Sequence, residues 1–279
     1  MRGQRPIEQG RSMTGFAKLD GLDFPQFDPG TVWLVGAGPG APGLLTLLGY
    51  HALAQADAIV YDALVNPMLL DMARPEAERI PAGKRGGKPS PKQADISDTL
   101  VALAREGKRV LRLKGGDPFM FGRGGEEAGV LFRAGIRFRV VPGISSGLGG
   151  LAYAGIPVTH RDANHSVLFL TGHDETGDVT ALDWDAIHRA APVLVMFMSV
   201  KHLSTITARL IAAGRPTSES VAIVSNAALP QQTVIETTLG AVAGLDDIPT
   251  PAIVVVGPAS RHRAMLDWYA GDLRENPLG

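Results

Sequence analysis

Short runs of Val, Ile and Leu alternate along the chain with longer stretches whose apolar residues recur at helical spacing, and the alternation begins near residue 32. Residues 32–36 (Val-Trp-Leu-Val-Gly) and 58–61 (Ala-Ile-Val-Tyr) are short and continuously apolar, which predicts buried strands, and the stretch 44–56 between them predicts a helix. From Gln93 to Glu106, the residues Ile96, Leu100, Leu103 and Ala104 fall at i, i+4, i+7 and i+8, the stripe of an amphipathic helix. Strands follow at 109–113 and 138–141. Because crossovers between parallel strands are right-handed, this βαβ series predicts a mainly parallel sheet with helices on its faces. A second series has candidate strands at 167–170, 193–198, 221–224 and 252–256 and candidate helices at 201–213 and 260–269. Between the two, residues 143–161 carry Ser145, Ser146, five glycines and Pro157, and predict a small-residue helix followed by a turn. The reading is therefore two α/β domains, 31–146 and 166–270, joined by a linker at 147–165, with a flexible extension at 1–30 and a tail at 271–279.

Ligands of open α/β sheets sit outside the carboxyl ends of the strands, so the loops at 36–43, 115–120 and 143–146 are expected to converge on one crevice that the second domain closes. The run Val110-Leu-Arg-Leu-Lys-Gly-Gly-Asp-Pro-Phe-Met-Phe-Gly-Arg-Gly-Gly-Glu-Glu127 joins a buried strand to such a loop. A glycine-rich turn accounts for Gly115-Gly116-Asp117-Pro118 alone, but the extension through Glu127 is more than a turn requires. The loop Gly36-Ala-Gly-Pro-Gly-Ala41 partly imitates the G-x-G-x-x-G/A dinucleotide fingerprint, and Asp62 ends the next strand, where a ribose-binding acid is expected. Pro39 and Pro42, however, remove amide donors where a pyrophosphate needs them, so an NAD-dependent oxidoreductase is the weaker reading. A cofactor without phosphate, such as S-adenosylmethionine, could use such a loop through carbonyls and close backbone approach.

Composition narrows this further. The 279 residues are 45% hydrophobic and 20% charged, a soluble globular balance, and the net charge of -1 offers no overall field for nucleic acid. With no cysteine, disulfides, thiolate metal sites and cysteine nucleophiles are excluded, which fits a reducing compartment. The histidines show no HExxH-type pairing, and no metal is expected. The most apolar internal run, at 192–198, is far shorter than the roughly 20 residues that span a bilayer, so a cytoplasmic protein is expected.

Local chemistry is less even. Ala82-Gly-Lys-Arg-Gly-Gly-Lys-Pro-Ser-Pro-Lys92 holds four cations and no acid among glycines and prolines. It reads either as a solvated loop or as a wrap for a multiply anionic ligand. Arg112, Lys114, Arg123, His160 and Arg161 add cations beside glycine-rich turns, which suits a small molecule bearing several carboxylates. Asp62 reads either as a turn or helix-capping acid or as a general base facing the crevice.

In their order and spacing these segments resemble the tetrapyrrole methylase family over residues 31–270. The segments that carry the resemblance are Val35-Gly-Ala-Gly-Pro-Gly40, Asp62-Ala-Leu-Val, Gly83-Lys-Arg-Gly-Gly87, Leu113 to Glu127, Val141-Pro-Gly-Ile144, Gly155-Ile-Pro-Val-Thr-His-Arg161 and Pro251-Ala-Ile-Val. The resemblance implies two α/β domains, S-adenosylmethionine in the cleft between them, and a homodimer. It implies cofactor contacts at Pro39, Gly115, Gly116, Asp117, Met120, Ser145, Ser146, Met198, Ala227 and Ala252. Ser145 and Ser146 stand where many relatives have Thr-Ala. It further implies Asp62 as proton acceptor, Lys84 as proton donor, and Arg85, Lys88, Arg112 and Arg161 as candidates for the carboxylates of a tetrapyrrole. The implied reaction methylates carbon 2 and then carbon 7 of uroporphyrinogen III, giving precorrin-2, with methylation of a later precorrin as the alternative. No separate N-terminal dinucleotide domain is recognisable, so a single activity is expected.

Overall fold

The computed structural model describes residues 22–83, 93–174 and 176–269. The first series of strands is β1 (Val32–Gly36), β2 (Ala58–Tyr61), β3 (Glu78–Pro81), β4 (Val110–Lys114) and β5 (Phe138–Val141). They form one sheet in the order β3-β2-β4-β1-β5, every pair parallel. Helices α1 (Leu47–Leu53) and α2 (Pro67–Leu70) cover one face, where Trp33, Val35, Ile59, Tyr61, Leu111 and Leu113 form the core. Helices α3 (Gln93–Arg105) and α4 (Gly124–Arg133) cover the other, over Val32, Leu34, Val60 and Val110. The split follows from the two-residue period of a strand.

Residues 144–156 cross to the second unit through a π-helical turn (Ser146–Gly150) and the short α5 (Leu151–Tyr153). There β6 (Val167–Thr171), α6 (Trp184–Ala190), β7 (Val193–Phe197), α7 (Leu203–Ala212), β8 (Ser220–Ser225), β9 (Thr233–Thr238), β10 (Ala252–Val256) and α8 (Arg263–Leu266) follow. The second sheet has the order β6-β7-β10-β8-β9 and is mixed: β6 and β7 are parallel, while the other neighbours are antiparallel. One face packs on α6 and α7, and the other on α5 and the loops of the first unit.

Several sequence expectations shift. Two strands went unforeseen, β3 and β9, and both are exposed sheet edges. The helix expected at 44–56 starts at Leu47, because Pro42–Leu44 forms a separate 3-10 turn and the Thr46 hydroxyl caps α1 by accepting from the Gly49 amide at 3.0 Å. The helix expected at 260–269 divides into a 3-10 turn, Pro258–His262, and the four-residue α8. Residues 22–30 are not a free extension: Phe27 is buried against Trp33 and Phe24 stacks on His51. The segment 147–165 does not hang between domains either, since Leu151, Ala154 and Ile156 are buried in the core of the second unit.

Candidate active site

Three loops leave the carboxyl ends of β1, β4 and β5 and touch backbone to backbone. Gly38 and Gly116 exchange amide-carbonyl hydrogen bonds at 3.2 and 2.8 Å, an isolated antiparallel bridge just past the parallel β1/β4 pair. A Cβ on Gly36 would lie 2.5 Å from both Gly116 O and Gly143 Cα, so only glycine fits there. Asp117 fastens the third loop: its Oδ2 accepts from the Gly143 amide at 2.9 Å and its Oδ1 from the Phe119 amide at 2.8 Å. Both carboxylate oxygens are thus used to hold loops together. Ser145 caps the π-helical turn, its hydroxyl accepting from the Gly147 amide at 3.3 Å.

These loops meet the second sheet at one edge. β6, β7 and β8 end there and the antiparallel β10 begins there, which brings Met198, Ala227 and Ala252 to the same rim. Met120 packs into the core of the second unit, and Phe121 meets Phe197 at a tilt, with ring centroids 5.0 Å apart. A Cβ on Gly40 would come within 2.9 Å of Ala227 O, and one on Gly150 within 2.7 Å of Ala227 Cβ. Pro39 faces the π-helical turn, 3.3 Å from where a Cβ of Gly149 would lie. All ten positions named for the cofactor therefore border these facing rims. Backbone strain gathers there too: Phe121, Arg123, Met198, Asn226 and Ala228 all have φ between 50° and 60°. Met198 ends the run 193–198 expected as strand, but lies beyond β7 and turns out of it.

A Cβ on Gly116 would meet Ser145 Cα and Ser146 N at 3.8 Å, ordinary van der Waals contact, so the two loops lie side by side here. The glycine loop after β1 does not abut the amino end of α1, because a 3-10 turn and Leu45 intervene before the Thr46 cap. No helix dipole is aimed at that loop, which removes the pyrophosphate site a dinucleotide needs.

Asp62 follows β2 on the first rim. It is not a helix cap, that role falling to Asn66 of α2, whose Oδ1 accepts from the Met68 amide at 3.0 Å. Its Oδ1 instead accepts from Arg112 Nη2 at 2.5 Å. Gly83, the last described residue before the basic segment, lies against Ala63, which a Cβ there would meet at 2.5 Å. Lys84, Arg85 and Lys88 lie outside the described residues.

Arg112 is not placed as expected. It points under the sheet between Leu34 and Val60, only 2% exposed, and its Nε donates to Glu127 Oε1 at 3.0 Å. Desolvation prevents a direct meeting with a substrate carboxylate; Arg112 reaches the rim only through Asp62. Lys114, two residues on and on the same face, donates to Glu127 Oε1 at 3.0 Å. Burial first, and the nearby Arg112 next, hold the Lys114 ammonium below its ordinary pKa. Arg161 is also elsewhere. It is exposed in the segment entering β6, and neighbouring His160 stacks on His262 beyond the carboxyl end of β10. That is the opposite end of the second sheet from Met198 and Ala227, roughly 15 Å away along a five-residue strand. Arg123 pairs with Glu126 at 2.6 Å on the surface.

Three participants were missed from sequence: Phe197, Asn226 and the buried Glu127. For Glu127 a signal existed, since Arg112 and Lys114 alternate within an apolar strand and such cations require a buried acid.

The fold and this meeting of loops define a two-domain α/β protein of the methylase class. The chain belongs to the tetrapyrrole (corrin/porphyrin) methylases, whose family model matches residues 31–243. It is 62% identical over 251 residues to a uroporphyrinogen-III C-methyltransferase from a Sinorhizobium species, covering 88% of this chain and 89% of that one. It is 45% identical to the sirohaem synthase of Baumannia cicadellinicola over 88% of this chain, but spans only 54% of that relative. A solved structure of uroporphyrin-III C-methyltransferase from Thermus thermophilus, complexed with S-adenosyl homocysteine, superposes with a TM-score of 0.74 at 38% identity, covering 83% of this chain and 99% of that one.

Proposed function

We propose that this chain methylates uroporphyrinogen III at carbon 2 and then carbon 7 with S-adenosylmethionine, giving precorrin-2. The observation that carries this reading is the joining of the 36–43, 115–121 and 143–147 loops to the rim of the second sheet, in a chain 62% identical to a uroporphyrinogen-III C-methyltransferase. When bound, the cofactor supplies an electrophilic methyl on a sulfonium. Gly115, Gly116 and Met120 would border its methionine portion and Ala252 its adenine side, with Pro39, Ser145, Ser146, Met198 and Ala227 completing the lining. Asp117 acts by holding the loops.

An electron-rich pyrrole carbon is the nucleophile, and the methylated ring becomes cationic until it loses a proton. Asp62, 31% exposed at the rim, accepts that proton on the side away from Arg112. Alignment of carbon, methyl and sulfur between two fastened rims supplies most of the rate. In this reading Lys84 is the proton donor, and Arg85 and Lys88 meet substrate carboxylates. Arg112 serves through Asp62, and Arg161 has no part at this rim.

A homodimer in the cytoplasm completes the reading. Exposed apolar side chains at Met265, Leu266 and Trp268 support self-association, and among the described residues no helix is long and apolar enough to cross a membrane. The test is anaerobic incubation with uroporphyrinogen III and S-adenosylmethionine followed by mass analysis. A gain of one and then two methyl groups is expected; no gain overturns the assignment.

A further inference from the structure

Beneath the first rim lies a set of charges that the proposed chemistry does not use. Glu127, in the first turn of α4, is completely buried, and its Oε1 accepts three hydrogen bonds: from Arg112 Nε at 3.0 Å, Lys114 Nζ at 3.0 Å and Gln93 Nε2 at 2.9 Å. Among the described residues, its buried Oε2 has no partner. The far end of the same guanidinium, Nη2, holds Asp62, while Nη1 lies 3.4 Å from the Val60 and Leu113 carbonyls. Among the described residues, Oδ2 of Asp62 takes no hydrogen bond and is left for another partner.

Stability does not explain this arrangement. Replacing buried ion clusters by apolar residues of similar volume is often neutral or stabilising, and the surrounding face of the sheet is already an apolar core. What the cluster does uniquely is fix the guanidinium. Its Nε end is anchored at Glu127, so the planar fork cannot rotate, and Nη2 is aimed at a single oxygen of Asp62. The charges also balance: Arg112 and Lys114 against Glu127 and Asp62.

We propose that Glu127 is a positioning residue, which acts through Arg112 to hold Asp62 in place to take the proton. The inference rests on the reading of Asp62 as the proton acceptor. The groups that face Glu127 are Gln93 from α3 and Arg112 and Lys114 from β4, with Asp62 at the end of β2 beyond Arg112.

The test compares Glu127→Gln, Glu127→Asp and Asp62→Asn in the full chain, with S-adenosyl homocysteine binding as a check on folding and on the cofactor rim. Glu127→Gln removes the charge and keeps the shape. Its kcat is expected to fall at least about tenfold, with KM for both substrates within about threefold. Glu127→Asp keeps the charge and loses reach, so its kcat is expected to fall less than that of Glu127→Gln. Asp62→Asn is expected to abolish turnover and leave S-adenosyl homocysteine binding unchanged. An active Asp62→Asn variant sinks the proton-acceptor reading. An inactive Asp62→Asn beside a Glu127→Gln variant with parental kcat sinks the positioning role alone. If neither Glu127 variant folds, the cluster is structural and the proposal is overturned.

Discussion

At the scale of single residues, two acids that end or precede strands on the same sheet do opposite work. Asp62 stands at the carboxyl end of β2, where the peptide chain opens to the rim. Asp57 precedes the same strand at its amino end and is a clamp: its Oδ2 accepts from Arg109 Nε and from the Arg109 amide, both at 2.9 Å, and its Oδ1 from Arg109 Nη2 at 3.0 Å and Arg74 Nη2 at 3.1 Å. The Arg109 side-chain bonds hold the Asp57 carboxyl below its ordinary value, against a smaller opposing effect of burial. In the unfolded chain the group titrates at about 3.9. Its contribution to stability is therefore complete above that value and lost as pH falls through the lower folded-state value. An Asp57→Asn variant should be less stable than the parent at neutral pH, and urea midpoints of the two should converge below about pH 4. Midpoints that stay a constant distance apart down to pH 3 would show that the clamp does not titrate with folding.

Elements show where the sequence was legible. Buried strands announced themselves, because central strands of a doubly covered sheet are continuous apolar runs. β1, β2, β5 and β10 fall at the expected boundaries, and β4 within a residue. β3 and β9 did not, because Glu78-Arg-Ile-Pro81 and Thr233-Val-Ile-Glu-Thr-Thr238 are polar edges with no two-sided core to enforce a pattern. Glycine loops were legible as places of close approach, yet which loop touched which was not, since Asp117 bonding across to Gly143 spans 26 residues. That bond ties the two loops to each other at the rim. Asp117→Ala should loosen the 115–121 and 143–147 loops together, weakening S-adenosyl homocysteine binding at least about tenfold by calorimetry and lowering the melting temperature by several degrees. Unchanged affinity would mean that the loops keep their places without the carboxylate.

For the whole molecule, the sequence indicated two α/β units and a crevice between them but not how the second unit is wired. Its ladder is antiparallel at β7/β10, β10/β8 and β8/β9, and nothing in short runs of valine and isoleucine encodes strand direction. Direction matters to the site, because only this wiring turns Met198, Ala227 and Ala252 to one rim while sending Arg161 to the far end. Arg112 was misread for a related reason: a cation beside a glycine turn looks available until the parity of its strand sends it under a helix.

The free edge at β9 bears on how the chain survives its own synthesis. Five of its six residues are β-branched, a composition that pairs readily with any passing strand, and the exception is Glu236, exposed at mid-strand and bonded to Arg263 at 3.0 Å. Before Arg263 folds onto it, a carboxylate there is expected to repel the same edge of a neighbouring copy while long-range pairing with β8 is still incomplete. A Glu236→Val variant should keep its turnover once folded but give a lower soluble yield and more light scattering on refolding at micromolar concentration. Equal scattering from variant and parent would leave the protection to some other part of the surface.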